Sequence, residues 1–586
     1  MANLIYACSR DSSQAFDRSI MQRVADRITP EIIRGHPHQI LERRGECLCL
    51  TGPHGAVRAE GFSAHLGVFT GTWNEWHRPG TPVPDGSFAL IRSEGEVTEL
   101  CADDAGSRTL WYAFTERHFI ASTSQRALVC LLGDLSLSRS AFAWFLSSGT
   151  LGPTDSWDQR IRRLPRGARL TLERSRWRIQ LRTTPLLFEA RAMSEAEARE
   201  GLKHVLWQVI RGCGFQMPSW IQPLSGGYDS RLLLAALHEA GHRPRTVTWG
   251  MSSSRSQRGN DAYIARKLAG HYGLLNDYLI TDISGAAPER VVDAFLAAHG
   301  GTTDALFPYL DGLKMWSRFT AEGVDGIIRG DEGFGTRPRP EGHHPPAQGL
   351  VLLKDFLDLE TAEMISDGRQ AIPEELGRRP EESLQTYGDR LVHQHFIPVT
   401  LAGLTDVKAP FLEIANPMLA APVLAFVRRM PDAMRAGRAV YERMTASVGP
   451  SVPFAKLSAD DNWNGFLYSE SYTRWMAEEL QGGFGDRMLP PRFRETLLAS
   501  LASGVCSQGR FFAARKIFKQ VIPKSWVALV RSLRKAEPPR ARELAFRCAL
   551  ASRLAGILEQ DAQMLAVPPE PVPYPAISPM VIGTTP

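Results

Sequence analysis

The chain has little that would tie it to a membrane or to an extracellular setting. No apolar run approaches the roughly 18 residues needed to cross a bilayer. The start, Met1-Ala2-Asn3-Leu4-Ile5-Tyr6, has neither the basic nor the long apolar region of a signal peptide. Cysteines are few, and the eight present (Cys8, Cys47, Cys49, Cys101, Cys130, Cys213, Cys506 and Cys548) are not spaced as a zinc ribbon or a disulfide framework. A reducing, cytoplasmic setting without a membrane span is expected. Charge of one sign is scarce too, since 68 basic residues stand against 63 acidic ones for a net +5. Bulk charge therefore selects no partner. The excess is partly local, with eleven Lys and Arg between 509 and 547 against Glu537 and Glu543. Such a run serves an acidic peptide, a nucleic acid or another protein, or is a solvated helical face. The chain also lacks a paired-cysteine sulfur site, a recognised RNA-binding module and any internal repeat, and a nucleic-acid partner is not expected.

What is present is length and a change of pattern along it. A chain of 586 residues exceeds the roughly 250–300 at which single cores stop growing, so two or three domains are expected. From Gly86 to about Arg182 short strand-like segments alternate with turns: Phe88–Arg92, Val97–Cys101, Leu110–Phe114 and His118–Ser122, then a last hairpin at Arg169–Leu172 and Trp177–Leu181. Thr183-Thr184-Pro185 breaks the pattern, and the boundary is set near residue 186. Ser194-Glu195-Ala196-Glu197 reads as a capping box opening a helix with Leu202, Val205, Leu206 and Val209 on one face. A strand at Trp220–Leu224, a glycine loop, a helix from Arg231 to Glu239 and a strand at Thr246–Trp249 make a parallel βαβ unit. Helices are expected at Ala262–Leu268, Glu289–Ala298 and Leu310–Thr320, and a buried strand at Gly326–Ile328, with mainly helix from there to about residue 480. The last residues, 566–586, are proline-rich and read as an extended tail. His343-His344 precedes two prolines and reads as an inert loop rather than a metal pair.

The loop Ser225-Gly226-Gly227-Tyr228-Asp229-Ser230 carries the chemistry. Between a strand and a helix it offers backbone N–H groups, two hydroxyls and the positive end of a helix dipole to phosphate oxygens. Gly226 and Gly227 let the backbone approach an anion, and Asp229 is a hard oxygen ligand suited to magnesium. A plain glycine turn accounts for the glycines and leaves Asp229 unexplained. The pattern is neither the Walker nor the Rossmann one.

The loop resembles the pyrophosphate-binding loop of the asparagine synthetase family, ATP pyrophosphatases that form acyl-adenylates. Gly330-Asp331-Glu332-Gly333-Phe334-Gly335 is similar to the family's second acidic motif, and Val452-Pro453-Phe454-Ala455-Lys456 to its late lysine loop. Asn260–Ala265 resembles the acidic helix start, and Asp406–Glu413 the family's Arg-x-Pro-Phe-Leu-Asp segment. In the amino-terminal half Asp85–Ala89, Asp104–Tyr112, Ala121-Ser122 and Leu164–Gly167 are similar as well. The resemblance implies ATP and magnesium as cofactors, with Asp229, Asp331 and Glu332 at the metal. It implies that Leu224, Ser225, Gly226, Gly227, Asp229, Ser230, Thr248, Trp249, Gly330 and Lys456 line the nucleotide, with Lys456, Asp229 and Asp331 catalytic. One fixed ammonium would stabilise the charge that builds in both adenylation and acyl transfer.

The fold implied is an α+β Ntn-hydrolase-like sandwich followed by an α/β ATP-pyrophosphatase (adenine nucleotide alpha hydrolase-like) domain with a parallel sheet. Its parts are a degenerate glutamine amidotransferase-like domain (1–185), the synthetase-like domain (186–535) and a carboxy-terminal helix with the proline-rich tail (536–586). Glutamine-dependent members expose a cysteine as second residue, where this chain has Ala2, and Cys8 lies too far in. Amide formation with an amine of the substrate itself is therefore expected. Members without that cysteine include β-lactam synthetases and lasso peptide cyclases. The basic late region, Ser230-Arg231 and the aromatics Trp463, Phe466, Tyr468, Tyr472 and Trp475 favour a precursor peptide. A leader peptidase and a leader-recognition protein would then be partners. A small-molecule ligase whose amine is deprotonated by a Tyr/Glu pair, and a non-catalytic scaffold, are the alternatives.

Overall fold

The computed structural model describes residues 3–11, 16–43, 45–52, 57–215, 217, 219–336, 359–366, 373–460, 463–502 and 541–565. Ala2, Cys506, His343-His344, most of the 509–547 basic stretch and the 566–586 tail lie outside them. The chain is mixed α/β, with antiparallel sheets in its amino-terminal part and a parallel sheet later. No described helix is long and apolar enough to cross a membrane.

The amino-terminal part is two six-stranded sheets laid face to face. One runs edge to edge through Arg162–Arg163, Trp111–Phe114, His118–Ser122, Asn3–Ser9, Glu46–Thr51 and His38–Arg43. The other runs through Arg178–Thr183, Ala168–Glu173, Val97–Ala102, Asp85–Glu94, Ser63–Thr70 and Val57–Glu60. Leu4, Leu48, Leu66, Ile91, Leu100 and Leu170 meet between them. Ile5, Ala7, Cys47 and Cys49 point the other way, onto the helices Arg18–Ile28 and Gln125–Leu132. The six strands expected between Gly86 and Leu181 are present, with ends shifted by up to three residues.

The parallel sheet has the spatial order Asn276–Ile280, Arg245–Gly250, Trp220–Pro223, Gly326–Ile328 and Glu413–Ala415. The chain leaves the central Trp220–Pro223 strand toward one edge, then returns to build the other. This makes a switch point between Trp220–Pro223 and Gly326–Ile328. In open parallel sheets ligands bind in the crevice beyond the carboxyl ends of the strands at such a point. Ser194 and Glu197 do form the capping box that starts the Glu195–Gly212 helix. Two expectations need correction. The helix foreseen at Leu310–Thr320 starts only at Lys314, because Asp311 takes the N–H groups of Leu313 and Met315 and turns the chain first. The mainly helical stretch also contains a fifth strand, Glu413–Ala415, buried throughout.

The two sheet systems are joined by polar contacts. Arg108 pairs with Glu413 at 3.0 Å, Thr109 donates to Asp406 at 2.8 Å, and Arg428 reaches Asp104 at 2.9 Å. The Ala541–Gln563 helix is wedged between them. Its Asp561, fully buried, accepts from Arg126 at 2.7 and 3.0 Å and from Arg27 at 2.7 Å, and its Arg547 pairs with Asp304 at 2.7 Å. Phe466 and Trp475 are buried against Phe546 of the same helix, and Tyr472 is buried against those two rings. They are core residues, so they do not form the peptide surface suggested by their spacing.

Candidate active site

The glycine loop follows the Trp220–Pro223 strand, and its helix spans Tyr228–Glu239. Gly227 caps that helix without any side-chain bond, so its first N–H groups have no intrahelical partner and face outward. The rest of the loop is internally braced. Ser230 Oγ accepts the N–H of Ser225 at 3.0 Å and lies 3.0 Å from Ser225 Oγ. Ser225 Oγ accepts the N–H of Gly227 at 3.2 Å, and Asp261 Oδ1 accepts that of Gly226 at 2.9 Å. Asp261 thus shapes the loop rather than lining it. Thr248 is buried, and its hydroxyl donates to the Leu224 carbonyl at 2.6 Å, inside the sheet. Trp249 stands half-buried, edge-on to Trp316 at 5.6 Å.

Across the switch point the Gly326–Ile328 strand delivers Gly330, Asp331 and Glu332. Gly330 lies so close that a Cβ there would sit 3.1 Å from the Asp229 carbonyl carbon, and glycine at this position brings the two acidic loops together. Asp229 is 40% exposed. Its Oδ1 accepts the Tyr441 hydroxyl at 2.6 Å, and Arg438 approaches the same oxygen at 3.6 Å. Desolvation, then the nearby Asp331 and Glu442 charges, push the Asp229 carboxyl above the usual range, although Tyr441 and Arg438 oppose the shift. Glu332 is raised as well, by burial and by Asp229. Asp229 and Glu332 are thus both raised, across the switch point from one another.

The two later acids differ from the simple ligands expected. Arg329 donates to both Asp331 oxygens, at 3.0 and 2.9 Å, and holds that carboxyl below its usual range against the effect of burial. Glu332 accepts from Arg438 at 2.8 Å and from the Phe334 N–H. Asp229 is therefore the carboxylate with the most coordinating capacity left, and Asp331 and Glu332 would exchange a guanidinium for an ion. Among the described residues no group of three His, Cys, Asp or Glu side chains is placed to hold a metal ion. Magnesium bound with nucleotide phosphates needs only one or two carboxylates.

Lys456 is exposed, and its backbone N–H donates to Gly259 O at 3.0 Å. Its loop lies directly on the glycine loop: a Cβ on Gly226 would come within 2.3 Å of Ala455 Cβ and 2.9 Å of Ile264 Cβ. Gly226 is thus required for loop-on-loop packing. Gly226→Ala is expected to displace the lysine loop and weaken MgATP binding about tenfold or more, read by calorimetry, with the amino-terminal core unaffected.

Of four further residues at this site, Arg438, Tyr441 and Arg329 stand in no motif of the sequence, and Lys408 lies in the Asp406–Glu413 segment. Arg438 adopts φ 62°, a left-handed conformation that costs a non-glycine residue about 1–2 kcal/mol, and from it reaches Glu332, Asp229 and Glu442. Tyr441 packs on Phe334 at 4.5 Å between ring centres. Burial and neighbouring carboxylates push its hydroxyl well above the ordinary tyrosine range, so it donates to Asp229 and is a poor base. Lys408 lies buried beneath Asp331, its ammonium donating to the Leu404 carbonyl, and burial with Arg329 nearby holds its pKa well down. Arg329 precedes the acidic motif. The Arg438/Tyr441/Glu442 spacing puts those side chains on one helical face, the one signal that could have found them.

A hollow of about 820 Å³ lies away from this crevice, between the Pro288–His299 and Ala541–Gln563 helices. Its arginines Arg27 and Arg126 are already neutralised by Asp561, and Arg553 by Asp293. In the sandwich, Glu46 is buried among Tyr6, Ser93, Arg43 and Arg174, and burial with Glu46 nearby pushes the Cys8 thiol up to about 11. The chain matches no protein-family model and no curated protein.

Proposed function

We propose that this chain is an ATP-dependent, AMP-forming amide ligase of the asparagine synthetase kind, built as an Ntn-hydrolase-like sandwich ahead of an ATP-pyrophosphatase sheet. One observation carries the reading: Asp229 with its uncapped helix, the Asp331 loop and the Lys456 loop meet at the switch point of a parallel sheet. The N–H groups starting the Tyr228–Glu239 helix suit the leaving pyrophosphate. Asp229, with Asp331 and Glu332, would hold magnesium, which neutralises phosphate charge and favours departure of pyrophosphate. Lys456 would meet the phosphates from the opposite side.

The reaction is written as two displacements. A carboxylate oxygen of the substrate attacks the α-phosphorus of ATP, and the bond to pyrophosphate breaks. An amine nitrogen then attacks the acyl carbon, the bond to AMP breaks, and the amine loses its proton to solvent or to the departing phosphate. Cys8 supports an amine from the substrate rather than from glutamine: with its pKa near 11 it stays a thiol at neutral pH. The substrate proposed is a precursor peptide whose Asp or Glu side chain joins its own α-amine as a macrolactam, prepared by a leader peptidase and a leader-recognition protein. The expected result with such a peptide is magnesium-dependent pyrophosphate release and a product lighter by one water, read by mass spectrometry. Turnover with small amino-acid derivatives alone would favour a β-lactam-type ligase, and no ATP turnover with either class would favour a scaffold.

A further inference from the structure

The loop that carries Lys456 is fastened to the glycine loop by the protein's own contacts. Ala455 N–H donates to Gly226 O at 3.0 Å, and Asn260 bridges to Leu457 in parallel register. The strongest fastening comes from Arg231, the residue after the loop's last serine. Its Nη1 donates to Val452 O at 2.6 Å and its Nη2 to Pro453 O at 2.9 Å. The guanidinium carbon sits 4.0 Å from the Phe454 ring centre, and that ring stacks on Tyr228 of the glycine loop at 4.1 Å and 24°. One buried side chain therefore grips two consecutive carbonyls and the next residue's ring, two residues short of Ala455-Lys456.

We propose that Arg231 is a positioning residue: it holds Val452–Lys456 against the glycine loop and so aims the Lys456 ammonium at the nucleotide phosphates. The proposal rests on the reading of Lys456 as a phosphate contact. Arg231 is 3% exposed, and no carboxylate among the described residues forms an ion pair with it. A buried guanidinium without a counter-ion is costly, and an apolar side chain would fill the same space without that cost. What an apolar chain cannot do is fix two successive carbonyls. That takes a planar, two-armed donor, and lysine does not supply one. Tyr228, Arg231 and Phe454 thus join two loops more than 200 positions apart in the chain into one rigid cradle, with Lys456 on its rim.

The test is a double-mutant cycle on the full chain, with MgATP affinity measured by calorimetry for the wild type, Arg231→Met, Lys456→Met and the pair. Lys456→Met is expected to weaken binding about tenfold or more, and Arg231→Met about fivefold to fiftyfold. In the Lys456→Met background, Arg231→Met is expected to change affinity by less than about twofold. Arg231→Lys, which restores charge without the fork, is expected to stay as weak as Arg231→Met. If Arg231→Met fails to fold, Arg231→Gln, which keeps one donor, carries the same comparison. Wild-type affinity in the Arg231 variant, or losses that multiply with those of Lys456→Met, would overturn the positioning role. Unchanged affinity in Lys456→Met would instead overturn the phosphate role on which it rests.

Discussion

Asp229→Ala is expected to lower ATP turnover by about 100- to 1,000-fold, the loss typical of removing one group that stabilises developing charge, while leaving the fold at least as stable as before. The two halves of this result have one cause. Asp229 is raised first by desolvation and further by Asp331 and Glu442, outweighing its contacts with Tyr441 and Arg438. It in turn raises Glu332, so the folded protein holds this carboxylate at a net cost. Removing it relieves that cost and also removes the carboxylate most able to bind magnesium. A site kept under strain for function shows this trade of stability against activity. A structural carboxylate would behave oppositely, with thermal stability falling along with activity. Turnover and the thermal midpoint, measured on the same preparations, separate the cases.

The largest loss of stability is expected at Asp561, far from the acidic crevice. Asp561→Ala would leave the buried Arg126 guanidinium, 4% exposed, without its bidentate partner and would release Arg27. Breaking a buried pair from one side costs about 3–5 kcal/mol, because a charge is left in the core. The expected observation is a lower urea midpoint, with the Ala541–Gln563 helix losing protection from hydrogen exchange first. Replacing both partners, as Arg126→Met with Asp561→Leu, is expected to recover most of the loss, since two apolar groups leave no orphaned charge. The helix packs onto both the Gln125–Leu132 and Pro288–His299 helices, inside one apolar cluster that reaches both sheet systems.

Several features were legible in the residues and others were not, for identifiable reasons. The βαβ unit around the glycine loop could be read because short apolar runs alternate there with glycine and helix-start signals. The Asn3–Ser9 and Glu46–Thr51 strands could not. They are central strands covered on one side by the other sheet and on the other by helices, and burial is continuous along them, so no alternation marks them. At the site, Asp229 and Asp331 stand in recognisable loops, whereas Tyr441 and Arg438 reach Asp229 from a segment more than 200 residues later, which local pattern cannot reveal. The amino-terminal segments Asp85–Ala89 and Asp104–Tyr112 carry a different message. Asp85, Asp104, Arg108 and Thr109 bond across to Ala421, Arg428, Glu413 and Asp406. Their pattern reflects how one part docks on the other, and none of them faces the acidic crevice.

On the proposed reading, ATP binds between the Asp229 and Asp331 loops and is cut between its α- and β-phosphorus atoms. The most direct test is phosphorus NMR of the nucleotide products formed by the full chain with MgATP and a panel of candidate precursor peptides, beside the Asp229→Ala variant. AMP and pyrophosphate are expected in equal amounts from the wild type and essentially none from the variant. ADP with inorganic phosphate, or equal turnover by both proteins, would contradict this reading.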